Sequence, residues 1–214
     1  MRKLLSLFII LSCTVTAAWS QKKFIKIKLL PFSITGLDSN YYKGKIVQGK
    51  KWEDKNGVNI LLLTTAEIKY ETPQAGTFGD DEGKTELYAY HFVMKDTPQL
   101  LWKVYDHVGW CGLDVVCEFY KNSLTITDLD KNGEAESCFL YALSCKGDVS
   151  PDEKKLIFHR GAEKYAIRGA SLLLFKNEKV GGEKKADAAF KKLPPVFLNY
   201  ANKQWAAFGV EKLQ

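Results

Sequence analysis

Asp128-Leu129-Asp130-Lys131-Asn132-Gly133-Glu134-Ala135-Glu136 sits between two apolar runs, Leu113 to Tyr120 and Ala135 to Leu143. Asp, Asn and Gly are turn formers, and runs rich in β-branched and aromatic residues on either side of such a cluster read as antiparallel strands. The same arrangement recurs along the chain. Asp54-Lys55-Asn56-Gly57 separates Gly44 to Gly49 from Val58 to Tyr70, and Lys95-Asp96-Thr97-Pro98 joins Thr85 to Met94 with Gln99 to Val108. Gly161-Ala162-Glu163 joins Lys154 to Arg160 with Lys164 to Leu174, while Asp148 to Asp152 makes a further turn. Hairpin after hairpin specifies a mainly β class, an antiparallel sandwich, curled sheet or open barrel.

Phe24 to Leu30 alternates Lys with apolar residues, the pattern of an edge strand. Thr72 to Lys84, with three glycines and the acids Asp80, Asp81 and Glu82, reads as an exposed loop. From about Glu183 the rhythm changes. Lys184 to Lys192 and then Pro194 to Phe208 carry apolar residues at helical spacing, with Pro195 suited to a first turn and Gly209 to an end. One or two C-terminal helices are expected on the sheet.

At 214 residues, 46% hydrophobic and 26% charged, the chain fits one globular domain with a substantial core. Arg2 and Lys3, the apolar run Leu4 to Leu11 and the small residues Ala17-Ala18-Trp19-Ser20 read as a secretory signal over residues 1–20, cleaved after Ser20. The expected mature chain, 21–214, is a single exported domain in the periplasm or at the cell surface, with no transmembrane segment. A second reading takes Ile10-Leu11-Ser12-Cys13 as a lipoprotein signal with Cys13 acylated, against which the bulky Leu11 counts. Loss of Arg2 and Lys3 leaves 29 basic residues against 25 acids, about +4 and scattered, which argues against a nucleic-acid partner.

Export makes the four remaining cysteines candidates for disulfides. Cys111 and Cys117, or Cys138 and Cys145, would lie about 20 Å apart along a strand, too far to bridge locally. A nested pairing, Cys111–Cys145 with Cys117–Cys138, suits two antiparallel strands, with a one-residue mismatch that calls for a bulge.

The central loop is the strongest candidate site. Side-chain oxygens of Asp128, Asp130, Asn132 and Glu136, with the backbone carbonyl of Glu134, match what a hard cation such as calcium requires. Position twelve is Phe139, so the bidentate glutamate of a helix–loop–helix calcium site is missing. The spacing instead resembles the shorter calcium loops of integrin-type β-propellers, where the ion would be structural. An ion-free Asx turn accounts for the same residues. Trp52 to Gly57 weakly repeats the loop but lacks its opening aspartate, so at most one copy holds metal.

No catalytic constellation stands out. His91, His107 and His159 lack zinc spacing and read as partly buried, satisfied histidines. Ser150 has no nucleophile elbow, and a carboxylate pair such as Asp148 with Asp152 is unremarkable among 25 acids. Trp52, Trp102 and Trp110 could stack on sugar rings, although strand aromatics usually belong to cores.

Four stretches carry a family resemblance: Leu101 to Asp106, Ile126 to Gly133, Cys145 to Pro151 and Lys164 to Gly169. From about Gly44 to Trp205 the chain resembles an uncharacterised family of exported Gram-negative bacterial proteins labelled surface polysaccharide biosynthesis proteins. The resemblance implies export and a single domain. Cys111 and Cys145 match the family's cysteine places, while Cys117 and Cys138 are additions here. No reaction, cofactor or catalytic residue is carried over. The expected function is an envelope-associated binding or structural domain, calcium-stabilised, with an unknown envelope partner or a glycan. The alternative is an enzyme or accessory factor in surface polysaccharide biosynthesis or processing.

Overall fold

The structure, a computed structural model, describes residues 26–71 and 82–213. The signal segment, Cys13 and most of the Thr72 to Lys84 loop lie outside the described residues. Two six-stranded antiparallel sheets face each other. The first runs β1 (Lys28–Leu30), β2 (Lys45–Asp54), β3 (Gly57–Thr65), β5 (Glu82–Met94) and β4 (Lys69–Glu71), with β6 (Pro98–Cys111) along the other side of β5. In the second, β14 (Lys184–Ala186), β11 (Glu163–Ala170), β10 (Glu153–Arg160), β9 (Glu136–Lys146) and β7 (Asp114–Phe119) follow one another, and β8 (Thr125–Thr127) also pairs with β9. A small third sheet joins β13 (Lys179–Gly181), β12 (Leu172–Leu174) and β15 (Val210–Lys212).

Period-two alternation places one set of side chains between the sheets. Trp52, Leu61, Leu63, Leu87, Ala89, Trp102 and Val104 from the first sheet meet Phe119, Phe139, Tyr141, Leu143 and Ile157 from the second. β3 and β9 are near-continuously buried because both of their faces are covered, whereas β2 and β6 alternate buried and exposed residues. Outside the second sheet, Leu140, Leu156, Phe158 and Ile167 pack under α1 (Pro195–Ala207) through Phe197, Ala201 and Trp205. Outside the first, Tyr88, Tyr90 and Phe92 lie beneath Leu37 and Tyr42.

The C-terminal region departs from the helical expectation in one respect. Lys184 to Lys192 forms β14 and a 3-10 turn over Ala188–Lys192 rather than an α-helix. The side chain of Asp187 accepts a hydrogen bond from Ala166 N at 2.9 Å, which ties this segment to β11 as an edge strand. The expected strand Lys164 to Leu174 is likewise split at Ser171, where the chain leaves the second sheet for the third.

The disulfide reading holds for one bridge. Cys111–Cys145 is present, with Cα atoms 5.6 Å apart. Cys117 and Cys138 are free buried thiols, which corrects the second half of the nested pairing. Register explains the correction. Cys117 lies opposite Leu143 on β9, and Cys138 opposite Thr125 and Phe158. Cys117 belongs to the inter-sheet core and Cys138 to the core under α1, so the sheet itself separates them.

α1 ends on a residue the sequence did not flag. Lys154 is 2% exposed, and its ammonium donates to Trp205 O at 2.7 Å and to Phe208 O. The last carbonyls of a helix have no internal partner and carry partial negative charge, so a buried lysine there caps them. Burial pulls its pKa down to about 8.

Candidate metal centre

The strand pair β8–β9 ends at Thr127 opposite Glu136, leaving residues 128–135 as an open loop. Within it, Asp128 Oδ1 accepts from Asn132 N at 2.9 Å and Oδ2 from Gly133 N at 3.2 Å. Asp130 Oδ1 also accepts from Asn132 N at 3.2 Å, and its Oδ2 from Asn132 Nδ2 at 3.0 Å. Two residues take left-handed backbone to close the curve, Lys131 at φ 57° and Gly133 at φ 78°. The loop is therefore wound by its own carboxylates.

Glu136 is the residue that distinguishes this loop from an ordinary turn. It is 0% exposed. Oε2 accepts from Thr127 Oγ1 at 3.1 Å and Leu129 N at 2.9 Å, whereas Oε1 is buried without a hydrogen-bond partner. Burial pushes its pKa up to about 7, the two donors opposing and nearby Asp130 and Asp128 adding to the rise. One oxygen each of Asp128, Asp130 and Glu136 lie within 4.8 Å of one another. Three converging carboxylates with one oxygen unpartnered fit a hard divalent cation. Arg160 partly balances them, donating to Asp130 Oδ2 at 3.2 Å while its guanidinium lies 5.8 Å from the Phe197 ring centroid.

Of the other two expected ligands, Asn132 is engaged within the loop through its side-chain oxygen, and Glu134 was expected to offer its backbone carbonyl rather than its carboxylate. Asn132 Oδ1 accepts from Glu134 N at 2.7 Å, and the Glu134 side chain turns away to an ion pair with Lys55 at 2.9 Å. That ion pair exposes something a linear reading misses: the two similar segments dock on each other. Lys55 N donates to Gly133 O at 2.9 Å, and Ala135 N donates to buried Asp54 Oδ2 at 3.2 Å. The loop thus clasps the first sheet to the second. A cleft of about 390 Å³ opens beside the clasp, bounded by Asp54, Asn59, His91, Gln99, Glu134 and Gly161.

The histidines do not gather. His107 is exposed, while His91 and His159 are both buried against Trp102. Trp102 stacks on His159 with centroids 3.7 Å apart. His91 Nε2 meets Asn59 Oδ1 at 2.9 Å, but neither ring nitrogen of His159 has a partner. Burial depresses both, His91 to about 4 and His159 to about 3, so both rings are neutral. The expectation of satisfied histidines holds only for one edge of His91. Asp152 is spent on an ion pair with Lys146 at 2.6 Å rather than on a carboxylate pair.

No family model, curated protein or solved structure matches the chain. The family resemblance therefore rests on the sequence motifs alone. Among the described residues no helix is long and apolar enough to cross a membrane.

Proposed function

We propose that this chain is an exported domain of the Gram-negative cell envelope that works by binding, its two sheets clasped by a calcium-holding loop. The observation that carries the calcium reading is Glu136, which converges with Asp128 and Asp130 and keeps a buried Oε1 without a hydrogen-bond partner. An unsatisfied buried carboxylate oxygen is costly, and a divalent ion relieves both the lost hydrogen bond and the mutual repulsion. Asp128, Asp130 and Glu136 would hold the ion, with Asn132 and the Glu134 carbonyl completing its oxygen shell. Its role there is structural, because the loop's contacts run to the Asp54 turn.

Export is supported by the signal-like N-terminus and by the Cys111–Cys145 bridge, which persists in oxidising compartments. The binding reading is supported by the state of the acids in the cleft. Every hydrogen bond formed by Asp54 holds its own fold together, with Trp52 Nε1, Asn56 N and Ala135 N. Melting the purified mature chain in calcium and in chelator tests the calcium reading. Saturation at about one hundred times Kd adds about 2.7 kcal/mol, or roughly 5–10 °C for a domain of this size. Identical curves in metal-free protein would remove calcium from the proposal.

A further inference from the structure

Trp110 is 66% exposed at the far end of β6 from the cleft. Its backbone adopts φ 57°, a region in which a bulky side chain is a genuine outlier. The next residue, Cys111, is buried and tied to Cys145, which anchors the backbone that presents the ring. Two further rings stand along the same strand. Tyr105 is 48% exposed and stacks on exposed His107 with centroids 5.5 Å apart. Between His107 and Trp110 lies Gly109, where an added Cβ would meet only His107 Cδ2, at 3.6 Å. These residues line a groove of about 460 Å³ with Lys69, Lys84 and Glu86.

The polar groups are ordered around the rings. Glu86 accepts from the Tyr88 hydroxyl and, through Oε1, from Tyr105 at 3.1 Å. Lys84 Nζ sits 5.5 Å from the Trp110 ring centroid and pairs with Glu71. A flat indole suits an apolar ring face, and the surrounding carboxylates, ammonium groups, phenol and imidazole both donate and accept. A pyranose presents that combination, C–H groups on its face and hydroxyls on its rim. Glu67 and Glu86 balance Lys69 and Lys84 in the lining, so no net charge selects a phosphate or uronate.

We propose that the Trp110 groove is a binding subsite for a neutral oligosaccharide, a sugar ring laid on the indole and its hydroxyls met by Glu86, Lys84 and Tyr105. This rests on reading the chain as a binding domain and does not require the ion. The test is an array of neutral oligosaccharides of glucose, galactose, mannose and N-acetylhexosamine, read with the mature chain and followed by tryptophan-fluorescence titration of the hits. Trp110→Gly should weaken binding by at least about tenfold while melting at or above the wild-type temperature, because glycine relieves the left-handed backbone. Tyr105→Ala should weaken it too, with Leu101→Ala unchanged. No binding to any neutral member, tighter binding to oligouronates, or retention in Trp110→Gly would overturn the proposal. So would a self-association abolished by Trp110→Gly, which would make the occupant a second copy of the chain. Sugar binding without calcium stabilisation sinks the loop reading alone, and calcium stabilisation without sugar binding sinks this one alone.

Discussion

Asp54-Lys55-Asn56-Gly57 and Asp130-Lys131-Asn132-Gly133 are the same tetrapeptide in two structures. Both form the local Asx bond, from Asn56 N to Asp54 Oδ1 at 2.8 Å and from Asn132 N to Asp130 Oδ1 at 3.2 Å. Beyond that they part. The first closes a two-residue hairpin with Asp54 opposite Gly57, and the second spans an open loop from Thr127 to Glu136. Their neighbours make the difference. Two residues before the first aspartate stands Trp52, whose indole N–H takes Asp54 Oδ2 at 3.0 Å. Two residues before the second stands Asp128, which adds a carboxylate where the first turn adds a donor. A shared tetrapeptide sets the turn, and flanking residues decide whether its carboxylate becomes a structural acceptor or part of an anionic cluster.

The largest expected effect falls on the first turn. Asp54→Ala strands buried Trp52 Nε1 and Ala135 N together with Asn56 N. Urea unfolding should show a loss of about 3–5 kcal/mol, since charged acceptors of buried donors are worth roughly 1.5–3 kcal/mol each and are not additive. A loss under about 1 kcal/mol would mean that the clasp between the turns is incidental.

Each turn also has a neutral histidine near it, His91 bonded to Asn59 and His159 next to Arg160. Their folded pKa values lie below the unfolded value near 6.5, so the unfolded chain binds more protons in acid. Stability should therefore be unaffected by these groups above about pH 6.5 and fall as pH drops from there to about 4 for His91 and about 3 for His159. The expected loss is roughly 3 kcal/mol for His91 alone. Unfolding measured in chelator should show this acid limb most cleanly below about pH 4.5, because Glu136, whose pKa is raised to about 7, gains stability in acid above that point. His159→Phe, which keeps a ring against Trp102, should make the limb shallower by the His159 share. An unchanged limb in that variant would assign the titration elsewhere.

Calcium separates the turns at a smaller scale. Asp128→Ser should erase the calcium-dependent rise in melting temperature, roughly 5–10 °C at saturation, whereas Gly57→Ala should leave that rise intact. Loss of the response in both would place the ion somewhere other than the central loop. The smallest effect concerns the glycines. Gly57 at φ 107° and Gly133 at φ 78° both hold backbone that an L residue resists, so alanine at either should cost about 1–2 kcal/mol in chelator. In calcium, Gly133→Ala should also lower metal affinity, a second loss that Gly57→Ala lacks.

Much of the strand order was readable because each turn carries its own chemistry: Asn56-Gly57, Gly161-Ala162 and the prolines act within a few residues. The C-terminal helix was legible from its apolar spacing, but the stretch before it was not. Lys184 to Ala186 becomes an edge strand by pairing with Ile167 to Gly169 on β11, and the adjoining Asp187 accepts from Ala166 N, so its partners lie well upstream in the chain. Among the site residues, Asp128, Asp130 and Glu136 were legible and do converge. Arg160 was missed because nothing local marks a cation that arrives from another strand. Lys154 was missed because the helix end it caps lies about fifty residues downstream, and exposed Trp110 resembled the buried Trp52 and Trp102 in its strand setting.

By itself the sequence determined the antiparallel β class, the places of the turns and the acidic loop, since these depend on backbone preference and the alternation of side chains over a few residues. Only the tertiary structure decided which cysteines meet, which tryptophan faces solvent, and that the two similar turns lock together. Those outcomes depend on sheet register and on which face a strand buries, and both are set by partners far away in the chain.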